Sequence, residues 1–404
     1  MSLRPRALRW VAAVLLPAVM LLSVGGTAWA DREYKPLPAQ LEKGAPVHIR
    51  IYHQPYYTES WSSSVMKNKE FWKKYLPAGS TVTFEFILMG ALAIPNLLAG
   101  KGEYAYAAPG ISVLALTTPR EKQDLRAFWI NAYSNCCYCN VMLVPADAPY
   151  LDSAEAYVKS LKGKTVSASR AACTDQWFRM VYKRYGIEPA NHLHQTWEVG
   201  RTALRTKRID ATSIWEPHAS GVWLQDKTAR PVATGGAFGM EDMSTTFGLY
   251  KWVKDNTRAH IALAKAEIES QLWMMDPKNE KTLVEFMAKE TEGYSRLVLW
   301  HSLYGRYPDE IGGTLVRGQF PMKFTDDAKR HMHEVADFWW ELKMSNEPKL
   351  DPDDILDEHI QIAAKELGIT LPLEGAFITG RSIDKSPFYD PKALEGVPPV
   401  VKKK

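Results

Sequence analysis

The chain has 404 residues, of which 46% are hydrophobic and 24% charged, and a formal net charge of +4. That is the composition of an ordinary globular protein and excludes fibrous and disordered classes. The first thirty residues hold three arginines and no acid, so without them the charge is +1, which removes the electrostatic case for nucleic acid or an anionic membrane surface.

Arg4, Arg6 and Arg9 precede an apolar run from Val11 to Val24, followed by Ala28-Trp29-Ala30. A basic start, a short apolar core and a small-x-small site predict a secretory signal peptide over residues 1–30. No cysteine follows the run, so no lipid anchor is expected. No later apolar stretch approaches the ~18 residues of a membrane span. A mature chain of about 370 residues exceeds one small core and predicts two lobes.

From Pro46 the pattern alternates. Val47 to Ile51 reads as a strand, and Ser60 to Tyr75 as a helix burying Val65, Phe71, Trp72 and Tyr75. Thr81 to Leu88 alternates, with Val82, Phe84, Phe86 and Leu88 on one face. Gly90 opens a helix to Ala99, Tyr104 to Ala107 is a strand, and Pro109-Gly110 starts another helix. Strand–helix repetition is the grammar of a mostly parallel sheet.

The grammar restarts after Asn140, with strands at Val141–Val144, Lys164–Ala168, His192–Thr196, Ala211–Ile214 and Pro231–Ala233. Between them lie a helix from Ala154 to Leu161 and one from Asp175 to Tyr185, stopped by Gly186. Irregular stretches at Tyr133–Cys139 and Thr234–Ser244 mark two crossings. Residues 245–250 return as a strand, followed by helices at Thr257–Met275, Asp326–Met344 and Asp353–Leu367. The expected organisation is a first lobe from 46–131 plus 245–370, a second from 140–234, and a tail over 371–404 that wraps the surface or is disordered. A cleft between the lobes is the default binding site.

Leu161-Lys162-Gly163-Lys164-Thr165-Val166, Leu204, Arg208-Ile209-Asp210-Ala211 and Trp215-Glu216-Pro217 occur in an order and spacing that carry a family likeness. Over about residues 46–275 the chain resembles the periplasmic binding proteins for nitrate, taurine and aliphatic sulfonates. The resemblance implies an α/β, two-lobed type II periplasmic-binding (venus-flytrap) fold, here with additional C-terminal helices. It implies a monomeric, periplasmic, non-enzymatic subunit of an ABC importer that hands a small anionic or zwitterionic solute to a permease, with no cofactor.

Candidate ligand-binding residues follow from position. Free N–H groups and positive dipole ends at helix starts suit an anion. The loops that place such starts at the cleft contribute Gly90, Ala91, Pro109, Gly110, Ser169, Arg170 and Thr174. The loop after the first strand contributes His53, Gln54, Tyr56 and Tyr57. Tyr133 lies at the first crossing, and Trp215 offers an apolar wall. In taurine-type relatives an acid at the place of Glu216 meets a ligand ammonium; a helix cap is the competing role. The aromatic side chains of Tyr56, Tyr57, Trp61, Tyr133, Trp177 and Trp215 point to an organic ligand larger than nitrate.

His192 and His194 alternate on a strand, and His331 and His333 sit two apart on a helix. Neither pair has zinc-like helical spacing, so packing roles are expected and no metal site. A thiamine-pyrimidine-synthase-like enzyme shares the fold and a cysteine-rich run, but its reactive lysine has no counterpart at Ala108-Pro109-Gly110. The four cysteines, Cys136, Cys137, Cys139 and Cys173, sit in an oxidising compartment, which favours a bridge from Cys173 to the cluster. A thiolate metal site is the alternative. Intact-mass analysis of periplasmic protein tests the leader: the mature chain is expected to begin at Asp31, and retention of Met1 refutes export with cleavage.

Overall fold

A computed structural model describes residues 33–119, 121 and 124–402; the expected leader lies outside the described residues. The first sheet begins with β1 (His48–His53), β2 (Thr81–Phe86), β3 (Tyr104–Ala107) and β4 (Leu125–Ser134). Interleaved are α1 (Trp61–Lys69), α2 (Ala93–Leu98) and α3 (Pro109–Leu116). The second sheet holds β5 (Val141–Pro145), β6 (Thr165–Ala168), β7 (Asn191–His194), β8 (Ala211–Ile214) and β9 (Ala229–Thr234). Its helices are α4 (Ala154–Lys159), α5 (Cys173–Tyr185), α6 (Trp197–Arg205) and α7 (His218–Ser220). β10 (Asp242–Leu249) returns to the first sheet, followed by α8 (Tyr250–Asp255), α9 (Thr257–Met275), α10 (Glu280–Glu290) and α11 (Arg296–Tyr304). The chain closes with β11 (Val316–Gln319), α12 (Asp326–Glu341), α13 (Glu358–Glu366) and β12 (Phe377–Thr379). No described helix is long and apolar enough to cross a membrane.

The strand orders are β12-β11-β4-β10-β3-β1-β2 and β7-β6-β8-β5-β9. Parallel pairing is confined to β2-β1-β3 and β7-β6-β8. The sheets are therefore mixed, not mostly parallel, because β4 leaves and β10 returns as antiparallel neighbours. β5 and β9 do the same in the second sheet. The crossings, 135–140 and 235–241, consequently run side by side, joined by Gly235 N–H to Asn140 O at 2.8 Å and Gly236 N–H to Cys136 O at 3.2 Å.

Local chemistry explains where the elements differ from expectation. The helix expected over Ser60–Tyr75 breaks at Glu70, which is left-handed at φ 51°, and continues as a 3-10 turn. β2 is an edge strand, which leaves Phe86 53% and Leu88 36% exposed. β4 was not anticipated: all ten of its residues are buried, so it lacks the alternation that reveals a half-buried strand. Its polar Asn131 is satisfied by Thr246 Oγ1 and by Glu267 of α9, itself held by Tyr106 and Gln271.

The region after β10 does more than cover the first lobe. It adds β11 and β12 to the first sheet, and Tyr307, Ile311 and Val400 join Val141, Leu143 and Ile214 in the core of the second lobe. The tail is ordered. Trp223 Nε1 and Tyr150 OH of the second lobe donate to Pro398 O and Pro399 O, and Lys227 Nζ to Glu395 O.

Ending the chain after Asp390 removes those hydrogen bonds, each worth about 1 kcal/mol, and the burial of Val400. The truncated protein is expected to lose about 2–4 kcal/mol in urea unfolding. Amide protection around Trp223 should fall; unchanged protection there would show that the tail is not a strap.

Candidate functional site

Where the lobes meet lies a cavity of ≈ 50 Å³. The first lobe lines it with Gln54, Tyr57, Met89, Gly90, Ala91, Ala108 and Ile111, the second with Ser169, Arg170, Ala172, Cys173 and Trp215. Two helices of eight residues or more, α3 and α5, start at this wall. Each follows an extended residue that lines the cavity, Ala108 and Ala172, although α3 opens on Pro109, which has no N–H to offer. Two glycines permit the approach. A Cβ on Gly90 would lie 2.9 Å from Ala107 Cβ, and one on Gly110 would lie 3.0 Å from Ala171 O across the lobes.

The wall is mainly apolar. Arg170 is the one charged side chain among the described lining residues, and no carboxylate joins it. Gln54 Nε2 donates to Tyr106 O at 2.8 Å, and Ser169 Oγ to Gln195 O at 3.1 Å, which fixes both side chains. Of the sequence candidates, Gln54, Tyr57, Gly90, Ala91, Ser169, Arg170 and Trp215 meet here.

The others lie elsewhere. His53 packs against Phe84 with Nδ1 3.3 Å from Ser63 Oγ, and burial brings its ring down to about 3, hence neutral. Tyr56 stacks on His218, which in turn lies 3.8 Å over Trp197, in a separate aromatic clamp between lobes. Pro109 and Gly110 occupy the first turn of α3 without lining the cavity, Gly110 serving close packing against Trp339. Tyr133 belongs to β4, and Thr174 is fully buried within α5. Trp61 and Trp177 are core residues of their lobes. Of the six aromatic residues taken to point to an organic ligand, Tyr57 and Trp215 line the cavity.

Glu216 is the sharpest correction. Its carboxylate turns into the interior and accepts from Ser220 N and Oγ at 3.0 and 2.8 Å, Tyr307 OH at 2.8 Å and Arg317 at 3.1 Å. Both members of the ion pair are fully buried. Burial pushes the Glu216 carboxyl up, while Arg317 and the donors pull it down. Every donor addresses an ionised carboxylate. The cap reading is partly right, since Ser220 N–H is an early helix donor, but Arg317, 101 residues away, dominates the environment.

Beneath the wall, the cysteines form two bridges, Cys136–Cys137 and Cys139–Cys173, and none is free. The expected bridge is therefore Cys139–Cys173, with Cα atoms 6.4 Å apart, and no thiolate remains for a metal. It packs with Tyr57 and Trp215 at the seam. Behind Tyr57, Glu59 and Asp242 are buried together. Burial raises both carboxyls, Asp242 to about 7. Met89, Ala108, Ala172 and Cys173 also line the cavity and belong to the same three loops that the sequence places at the cleft. Ile111 lies one helical step further on.

No family model matches the chain, and no curated protein sequence matches it. Solved structures do. The alkanesulfonate-binding protein SsuA from Xanthomonas axonopodis pv. citri, bound to MOPS, superposes with a TM-score of 0.61 at 15% identity, over 78% of this chain and 100% of that one. The periplasmic nitrate-binding protein NrtA from Synechocystis PCC 6803 gives 0.62 at 14%, over 81% and 92%. A DszB mutant in complex with biphenyl-2-sulfinic acid gives 0.55 at 12%, over 80% and 100%. These likenesses show the fold: two α/β lobes of the type II periplasmic-binding kind.

Glu216→Gln leaves the Arg317 charge buried without its partner. Chemical denaturation should show a loss of about 3–5 kcal/mol, well beyond the ~1 kcal/mol of a lost cap. A loss within cap range would demote the pair to a minor contact.

Proposed function

We propose that this protein is the extracytoplasmic solute-binding component of an ABC importer and captures a small anion between its lobes. One observation carries the reading: a cavity walled by both lobes, with Arg170 as its charge, two helix starts and no carboxylate in its lining. Positive dipole ends and a guanidinium favour an anionic head, while Met89, Ile111, Tyr57 and Trp215 favour an apolar body. An alkanesulfonate-binding and a nitrate-binding protein share this fold, which supports the class of ligand.

The cavity is small, at ≈ 50 Å³. That size suits an inorganic oxyanion or a one- to two-carbon sulfonate or carboxylate. A ligand ammonium would find no lining carboxylate, because Glu216 is committed to Arg317. A plain anion is therefore favoured over a zwitterion. Ligand capture closes the lobes, and the closed face is what a permease would read.

A thermal-shift screen of mature protein with methanesulfonate, nitrate, sulfate, acetate and taurine tests this. One or more plain anions should stabilise it more than taurine, and Arg170→Ala should weaken that anion about 10- to 100-fold, the worth of a charged hydrogen bond. Stabilisation by none of the anions, or unchanged affinity in the variant, refutes the reading.

A further inference from the structure

A second group of ligand-type side chains lies on the second lobe, outside the cavity lining. β7 pairs in parallel with β6, setting His192 opposite Val166 and His194 opposite Ala168. The two imidazoles therefore share one face of the sheet edge. α5 brings Asp175, in its first turn, over that face. Asp175 is fully buried, His192 nearly so, and the side chain of His194 is 34% exposed, so the group has a solvent entrance.

Each histidine presents Nε2 to the carboxylate. His192 Nε2 is 2.9 Å from Asp175 Oδ1 and His194 Nε2 is 3.3 Å from Oδ2, and all three donor atoms lie within 4.8 Å of one another. These are not aligned hydrogen bonds: both buried ring nitrogens of His192 are without a hydrogen-bond partner among the described residues. Donors bound tetrahedrally to one ion at ~2.0–2.1 Å stand about 3.3 Å apart, so the spacing fits convergence on a shared ion.

At the mouth stands a cation. Arg179 Nε is 2.8 Å from Asp175 Oδ1, and its terminal nitrogen 3.1 Å from His194 Nε2. The guanidinium thus bridges two of the three donors, in the place a bound ion's charge would take. Its side chain is 31% exposed and sits one helical turn from Asp175, free to rotate into solvent.

We propose that Asp175, His192 and His194 form a binding site for a borderline divalent transition-metal ion, entered when Arg179 swings out. Two imidazoles and one carboxylate suit zinc, copper or nickel, and they do not suit calcium or magnesium, which require oxygen cages. The site is separate from the proposed anion capture. Neither depends on the other being right.

Calorimetry with Zn2+ on tag-free, oxidised mature protein decides it, because with both bridges intact no thiolate competes. One equivalent is expected to bind, with no heat from Mg2+ or Ca2+. His192→Ala and His194→Ala should each weaken binding at least about tenfold. Arg179→Ala should tighten it about tenfold or more, since a competing charge leaves the mouth. Zn2+ should also raise the melting temperature of the Arg179→Ala variant, an effect that a purely structural ion pair does not produce. Absence of stoichiometric Zn2+ binding in Arg179→Ala overturns the proposal, as does binding that survives both histidine substitutions.

Discussion

The buried pair of Glu216 and Arg317 ties the two lobes together. Glu216 closes β8 of the second sheet, and Arg317 lies in β11 of the first. Taking two charges out of water costs several kcal/mol for each ion, which is recovered only where geometry and further hydrogen bonds are good. The carboxylate meets both conditions, whereas the guanidinium donates only through Nη2, its Nε and Nη1 being buried without a hydrogen-bond partner among the described residues. Ser220, Tyr307 and Ser302 complete the carboxylate's shell, and the guanidinium also donates to Ser302 O and lies between the rings of Tyr138 and Tyr307. Three of these groups come from the segment after α10, so that segment cannot detach without leaving a charge stranded.

The constraint sets how the lobes can move. On the side of Glu216, lobe 2 is braced by Tyr307, Ile311 and the C-terminal strap, and the crossings are hydrogen-bonded to one another. On the opposite side, the lobes are joined by thinner links: Trp215 Nε1 to Tyr56 O, the stacked ring of Tyr56, and the walls of the cavity. The cavity lies among these thinner links, and the two crossings, 135–140 and 235–241, run side by side. The Cys139–Cys173 bridge joins the first crossing to the start of α5, closing a loop of 34 residues, worth about 3–4 kcal/mol in the chain-entropy model. It ties the start of α5 to the first crossing.

Much of this architecture was legible where local signals agree. α9 runs over the residues its apolar spacing marks, and α5 ends at Gly186 in the left-handed conformation that glycine tolerates. The paired crossings were visible as breaks in the alternating pattern. What was not legible depends on distant partners. β4 is apolar on both faces because other layers cover both, and β11 and β12 are too short to stand out until β4 offers them an edge. Arg317 carries no local mark of its pairing with Glu216. Likewise, two histidines in alternation say nothing of Asp175, which the α5–β7 packing supplies.

The cavity residues show the finer limit. Position along the chain identified the right loops, yet adjacent residues within them part company. Gln54 lines the cavity and His53 faces the core; Tyr57 lines it and Tyr56 stacks in the clamp; Trp215 lines it and Glu216 turns inward. At the end of a strand, successive side chains point to opposite faces, so a one-residue error exchanges wall for core. Polarity does not resolve the choice, because an acid such as Glu216 satisfies either face given the right partner. β8 ends at Ile214, opposite Val141 of β5, and just beyond it Trp215 meets the cavity while Glu216 turns inward. The acid turns toward Arg317, and the cavity lining keeps one cation, Arg170, and no carboxylate.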